Sequence, residues 1–267
     1  MSPWWFALQI WALSAVAMVG VWAFSMRVRN VGYVDVAWAG LMALAALLAG
    51  LLADGAVLAR TLTALAGAVW GARLCVHLLN RVMHEPEDGR YRALRERWNG
   101  SPARFFMFFQ AQAVVVALFA LPFFAAAGNA SGRVTGWTIA AILVWLAAVG
   151  GEALADAQLS EHRSSPANQG TTCRRGFWAW SRHPNYFFEW LHWFTYVLLA
   201  VGAPHGWLAW LVPVVMLAFL YRVSGIPWTE QQAVRTRGED YARYQREVSP
   251  FIPWPPRSNP DSRDTRA

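Results

Sequence analysis

The chain has 267 residues, 56% of them hydrophobic, 15% charged and 17 of them tryptophan, with a formal net charge of +7. That balance excludes an ordinary water-soluble domain and makes lipid the expected solvent. All 23 basic residues are arginine, scattered between apolar runs instead of gathered on a polar face, so membrane orientation explains the charge and nucleic-acid binding is excluded.

A hydrocarbon layer about 30 Å thick needs roughly 20 apolar helical residues. Seven segments meet that need: 4–25, 33–53, 56–80, 105–127, 134–157, 185–203 and 206–224. The first has Trp4, Trp5, Trp11 and Trp22 at interface positions and no basic leading region, so it reads as a span and not a signal peptide. With the N-terminus outside, every arginine except Arg60, Arg73 and Arg133 falls on the cytoplasmic side, and an even span count would break that pattern. The expected fold is an all-α integral membrane protein of seven transmembrane helices, N-terminus outside and C-terminus cytoplasmic. It forms one domain over 1–256, followed by a disordered tail over 257–267.

Ionisable groups inside spans are costly and mark candidate sites. Asp35 opens the second span and either caps it or pairs with Arg29, or else faces a cavity as a proton donor or hydrogen-bond partner. Arg73, His77 and Arg81 follow at four-residue spacing on one face of the third span. Arg81 can snorkel, whereas Arg73 lies deeper and requires an anionic or wet partner. Cys75 and Cys173 lie far apart with no metal or disulfide spacing, and no metal is expected.

The fifth span ends GGEALADAQLSEHR, with Glu152 and Asp156 four residues apart and Arg163 near the same stripe. Two acids so spaced repel unless a cation or donors lie opposite. A small, polar, basic loop over 164–181 leads into WSRHPNYFFEW, where Pro184 starts a helix with His183 and Asn185 at its N-terminus and Glu189 one turn in. With Arg174, Arg175 and Arg182 beside it, that helix end suits an anion such as a cofactor phosphate. No Gly-rich dinucleotide motif or P-loop occurs, so any cofactor is held by the helices themselves. From Thr229 to Trp254 the chain reads as a polar amphipathic helix carrying Tyr241 and Tyr244, returning to the interface at Phe251 and Trp254.

VDVAWAG, GEALADAQLSEHR, RHPNYFFEW and EDYARYQREVSPFIPW together resemble the bacterial branch of the steroid 5α-reductase (3-oxo-5α-steroid 4-dehydrogenase) superfamily, over residues 30–255. The resemblance implies a multi-pass reductase of the bacterial inner membrane with its active site facing the cytoplasm. It also implies NADPH as cofactor and a lipophilic, steroid-like substrate drawn from membrane lipid, with protein partners unspecified. By position it implies cofactor contacts from Asp156, Arg163, Asn185, Tyr186 and Glu189, with Arg174 on a phosphate; Glu152 stands where eukaryotic members have Asn. Arg182, His183 and Tyr241 complete the expected cofactor set, and Trp38 and Arg73 are the expected substrate contacts.

The reaction the resemblance implies is hydride delivery to the C4–C5 double bond of a 3-oxo-Δ4 steroid or similar enone, with charge developing on the carbonyl oxygen. Asp35 and His77 are the expected catalytic pair. Asp35 stands nearest to the family's Glu, Leu78 falls where its Tyr is expected, and the family's C-terminal His and Tyr align with Glu230 and Val234. Two other functions remain open: an S-adenosylmethionine-dependent methyltransferase of the isoprenylcysteine type, which shares an RHP-x-Y block, and a non-catalytic sterol or lipid binder.

Overall fold

A computed structural model of the chain describes residues 1–222 and 225–257. The expected tail over 257–267 therefore lies, apart from Arg257, outside the described residues. Among those residues the regular structure is helical: α1 (Pro3–Val28), α2 (Tyr33–Leu52), α3 (Val57–His84), α4 (Gly89–Arg97), α5 (Pro102–Ala127), α6 (Gly136–Ser164), α7 (Pro184–His192), α8 (Phe194–Leu199), α9 (Leu211–Arg222), α10 (Ile226–Arg237) and α11 (Glu239–Glu247), with three short 3₁₀ turns.

Among the described residues, six stretches are long and apolar enough to cross a bilayer: α1, α2, α3, α5, α6 and Gly206–Arg237. The expected span over 185–203 differs. It is split into α7 and α8, because the N–H of Trp193 turns back to the Trp190 carbonyl in a 3₁₀-type bond that ends the first helix after nine residues. α4 was absent from the sequence reading. It is a short polar helix whose N-cap Asp88 accepts the Arg90 N–H, and only Tyr91 within it is buried. The C-terminal amphipathic stretch is also two helices and not one, broken at Gly238, whose φ of 56° and ψ of −131° suit only glycine.

The described chain divides into two compact units. One comprises Met1–Ala141 and Phe194–Val212; the other comprises Ile142–Trp193 and the described residues from Pro213 on. In the first, α5 packs on α1, α2, α3 and α8, and α2 lies along α3. Burial of apolar surface drives little association in lipid, so close approach of small residues matters more. A Cβ on Gly67 would stand 2.3 Å from the Ala46 Cβ, and one on Gly71 would stand 2.9 Å from that of Ala43. Arg60, in the first turn of α3, caps α2: its Nε donates to the Gly50 carbonyl at 2.7 Å and its Nη2 to that of Leu51 at 3.0 Å. Met18, Val34, Tyr91, Phe105 and Phe109 form the buried cluster beneath α4.

In the second unit α6 and α7 meet where Gly151 faces the Phe188 ring, too close for any added side chain. The segment from Thr172 to His183 is tied to α10 and α11. Tyr244 sets its hydroxyl 2.6 Å from the Trp178 carbonyl and 3.1 Å from that of Ser181, and the Arg182 N–H donates to the Ser249 carbonyl at 2.8 Å.

Candidate functional site

The sequence-derived residues divide between the units: Asp35, Trp38, Arg73 and His77 belong to the first, and the cofactor set from Glu152 to Tyr241 to the second. In the first unit Asp35 occupies the opening turn of α2, where the helix dipole favours an acid. Its partners come from α4 and not from Arg29: Tyr91 donates its hydroxyl to Oδ1 at 2.6 Å and Arg90 approaches Oδ2 at 3.4 Å. Tyr91 is 5% exposed, and burial followed by the adjacent Asp35 charge pushes its hydroxyl well above the usual tyrosine range, so it stays a neutral donor.

Asp88 extends this network. It accepts Arg81 at 2.8 Å and the Nε of Arg90 at 3.1 Å. Burial raises its pKa, but the Arg90 charge and the hydrogen bonds from Arg90 outweigh it and leave the carboxyl below its ordinary range. On α3, Arg73 is half-buried and His77 exposed. Trp38 packs edge-on to Trp70 and Phe119 at centroid distances of 6.2 and 5.9 Å. Tyr91 and Arg90 were missed by sequence reasoning because they sit on a loop helix with no apolar period; the RYR tripeptide was their only signal.

In the second unit the start of α7 gathers several of the expected residues. Asn185 donates its Nδ2 to Asp156 Oδ1 at 3.3 Å and accepts the Tyr186 N–H at 3.0 Å, which joins the end of α6 to the first turn of α7. The Tyr186 ring stacks on buried His183 at 5.3 Å with only 9° between planes. Glu152 is buried, Glu189 half-buried and Arg163 exposed.

Two of the expected phosphate ligands hold carboxylates of this chain. Arg174 donates to Glu247 at 2.8 Å and to Asp240 at 3.2 Å, and it lies over the Tyr244 ring. Arg182 donates Nε to Glu230 at 2.6 Å and Nη1 to the Gln245 and Val248 carbonyls, each at 2.7 Å. Glu230 also stands 3.2 Å from the His183 Nε2 and accepts the Gln245 amide at 2.8 Å. Tyr241 is buried against Tyr244, and burial raises both hydroxyls above their ordinary range. Arg175 and Arg163 are the exposed arginines of the loop region, Arg175 meeting Glu161 at 3.3 Å.

No cluster of three metal-binding side chains occurs among the described residues. The arrangement offers amide, carboxylate, imidazole and phenol groups around one helix start, backed by a cluster of half-buried Arg182 and Glu230 with buried His183 that fixes their positions. Such a set can hold the polar end of an organic cofactor.

Compared with known proteins, the chain matches over residues 21–248 the model of a family described as "Protein of unknown function (DUF1295)". No curated protein matches it significantly. No solved structure does either.

Proposed function

The chain belongs to the DUF1295 family, and from this premise we propose that it is a membrane-embedded, NADPH-dependent reductase of the steroid 5α-reductase type. It saturates the C4–C5 double bond of a 3-oxo-Δ4 steroid or a similar lipophilic enone. The observation that carries the reading is the junction of Asp156 with Asn185 and the His183–Tyr186 stack at the start of α7, in the block RHPNYFFEW on which the resemblance rests. Asp156, Asn185, Tyr186 and Glu189 hold the cofactor, with Glu152 and Tyr241 lining it. Arg163 and Arg175 meet its phosphates, and Arg174, Arg182 and His183 hold the loop in shape.

Hydride delivery to the β-carbon leaves an enolate oxygen that needs a donor. We assign that role to His77, with Asp35, an acceptor held by Tyr91 and Arg90, as the second member of the catalytic pair, and substrate contact to Trp38 and Arg73. Loss of such a donor costs about 3 to 4 kcal/mol of barrier, so His77→Ala should lower kcat by roughly two to three orders of magnitude. In the proposed topology the segment 185–203 is the sixth of seven crossings. The N-terminus lies outside, and the arginine-rich side faces the cytoplasm of a bacterial cell.

A second reading, an S-adenosylmethionine-dependent methyltransferase, is favoured by one observation: Arg174 and Arg182 are committed to Asp240, Glu247 and Glu230, and a sulfonium cofactor carries no phosphate. Anaerobic incubation of the purified protein with NADPH and progesterone tests the pair. Loss of nicotinamide absorbance with a product gaining two hydrogens is expected. No turnover, together with saturable S-adenosylmethionine binding, would overturn the reductase.

A further inference from the structure

In the first unit, a depression of about 90 Å³ is lined by the start of α3, the loop between α5 and α6, and the end of α8. Its wall is divided by chemistry. Leu58, Leu62 and Leu198 give one apolar side, while Ser131, Arg133 and Thr135 give the other. Arg133 is the only ionisable residue on the lining. It is exposed, and no carboxylate among the described residues pairs with it.

The loop that carries this side is held in place before any ligand arrives. Asn129 donates its amide to the Leu199 and Val201 carbonyls at 2.8 and 2.9 Å, its Oδ1 accepts the Ser131 N–H at 2.9 Å, and its carbonyl accepts the Ala56 N–H at 2.9 Å. Thr135 and Thr138 bond each other at 3.1 Å. Trp137, 55% exposed beside the depression, is the residue type that sits at headgroup level.

We propose that this depression binds the headgroup and first carbons of an anionic glycerophospholipid from the surrounding leaflet. Arg133 takes the phosphodiester, Ser131 and Thr135 hydrogen-bond its oxygens, and the leucine side takes the glycerol and upper acyl carbons. At about 90 Å³ the depression is smaller than the range of about 300 to 1,000 Å³ typical of enclosed small-molecule sites, so it seats a phosphodiester and its nearest carbons and leaves the acyl chains in the surrounding lipid. The single positive charge selects an anionic lipid over a zwitterionic one. Trp137 is the single aromatic among the described lining residues, short of the cage of several rings that would hold the choline of a zwitterionic phosphatidylcholine.

The full chain, delipidated in detergent, is exposed to mixed vesicles of phosphatidylglycerol and phosphatidylcholine, and retained lipid is read by native mass spectrometry. One phosphatidylglycerol is expected to remain bound in preference to phosphatidylcholine, with inorganic phosphate failing to displace it. Arg133→Gln, on an exposed loop, should weaken retention by roughly tenfold. Val201→Trp, which fills the depression from an exposed position, should abolish it with Arg133 intact. Equal retention of both lipids, equal retention by Arg133→Gln, or full displacement by phosphate would each overturn the proposal. Enone reduction is measured on the same samples, so failure of lipid binding and failure of the reductase reading are separate results.

Discussion

Arg182 has a side chain only 10% exposed, and its partner Glu230 is 13% exposed. Removing one member of such a pair leaves an uncompensated charge, which typically costs about 3 to 5 kcal/mol. Glu230→Leu should therefore lower the thermal midpoint strongly and loosen the 172–183 segment in hydrogen exchange, whereas Arg175→Gln, at an exposed pair, should change stability by less than about 0.5 kcal/mol. The block RHPNY was legible as a candidate site because it gathers polar and ionisable groups beside arginines at a helix start in an otherwise apolar chain. The partners of Arg174 and Arg182 were not, since Glu230 and Glu247 lie 48 and 73 residues further along the chain and no local period links them. An arginine beside a helix N-terminus looks the same in sequence whether it awaits a phosphate or already holds a carboxylate.

The carboxyls of Asp88 and Asp240 set a pH dependence. For Asp240, burial raises the pKa, but hydrogen bonds from Thr172 and the Arg174 charge lower it overall, as the Arg90 contacts do for Asp88. A depressed carboxyl contributes stability that is fully present above its unfolded pKa, near 3.8, and lost as pH falls through the lower folded value. Protection of the α4 loop and of the 172–174 segment should thus be flat from neutrality to about pH 5 and fall below about pH 4. Asp88→Asn should remove the acid-sensitive part at α4 while leaving that at Thr172.

At the scale of elements, apolar length placed six of the spans; in the first five the ends differ by up to seven residues, because GEALADAQLSEHRS carries α6 on past its apolar stretch. The same criterion could not find α4, whose order comes from an N-cap and one buried tyrosine, nor foresee the break at Trp193. Packing of α2 on α3 rests on glycines whose purpose sequence alone did not disclose. Gly67→Ala, forced against Ala46, should cost about 1 to 3 kcal/mol, measured by unfolding in detergent. Arg29 closes α1 with a φ of 55°, a left-handed conformation that arginine tolerates poorly. Arg29→Gly should raise stability by up to about 1 kcal/mol.

At the scale of the whole molecule, the proposed orientation rests on where arginine falls. Reporter fusions should find residue 55 on the outer side and residue 100 on the inner side, and a seventh crossing requires position 203 to be outside. A reporter at 203 that reads cytoplasmic would reduce the count to six.

The clasp on the 172–183 segment also has a consequence in time. Arg174 is synthesised 66 residues before Asp240, and at about 5 to 20 residues per second the ribosome supplies that partner roughly 3 to 13 s later. Through that interval the basic loop exists without the acids that neutralise it. A chain that stops short of Asp240 keeps it so, and should expose an unpaired cationic segment to cellular proteases even though the apolar spans before it are already in the membrane.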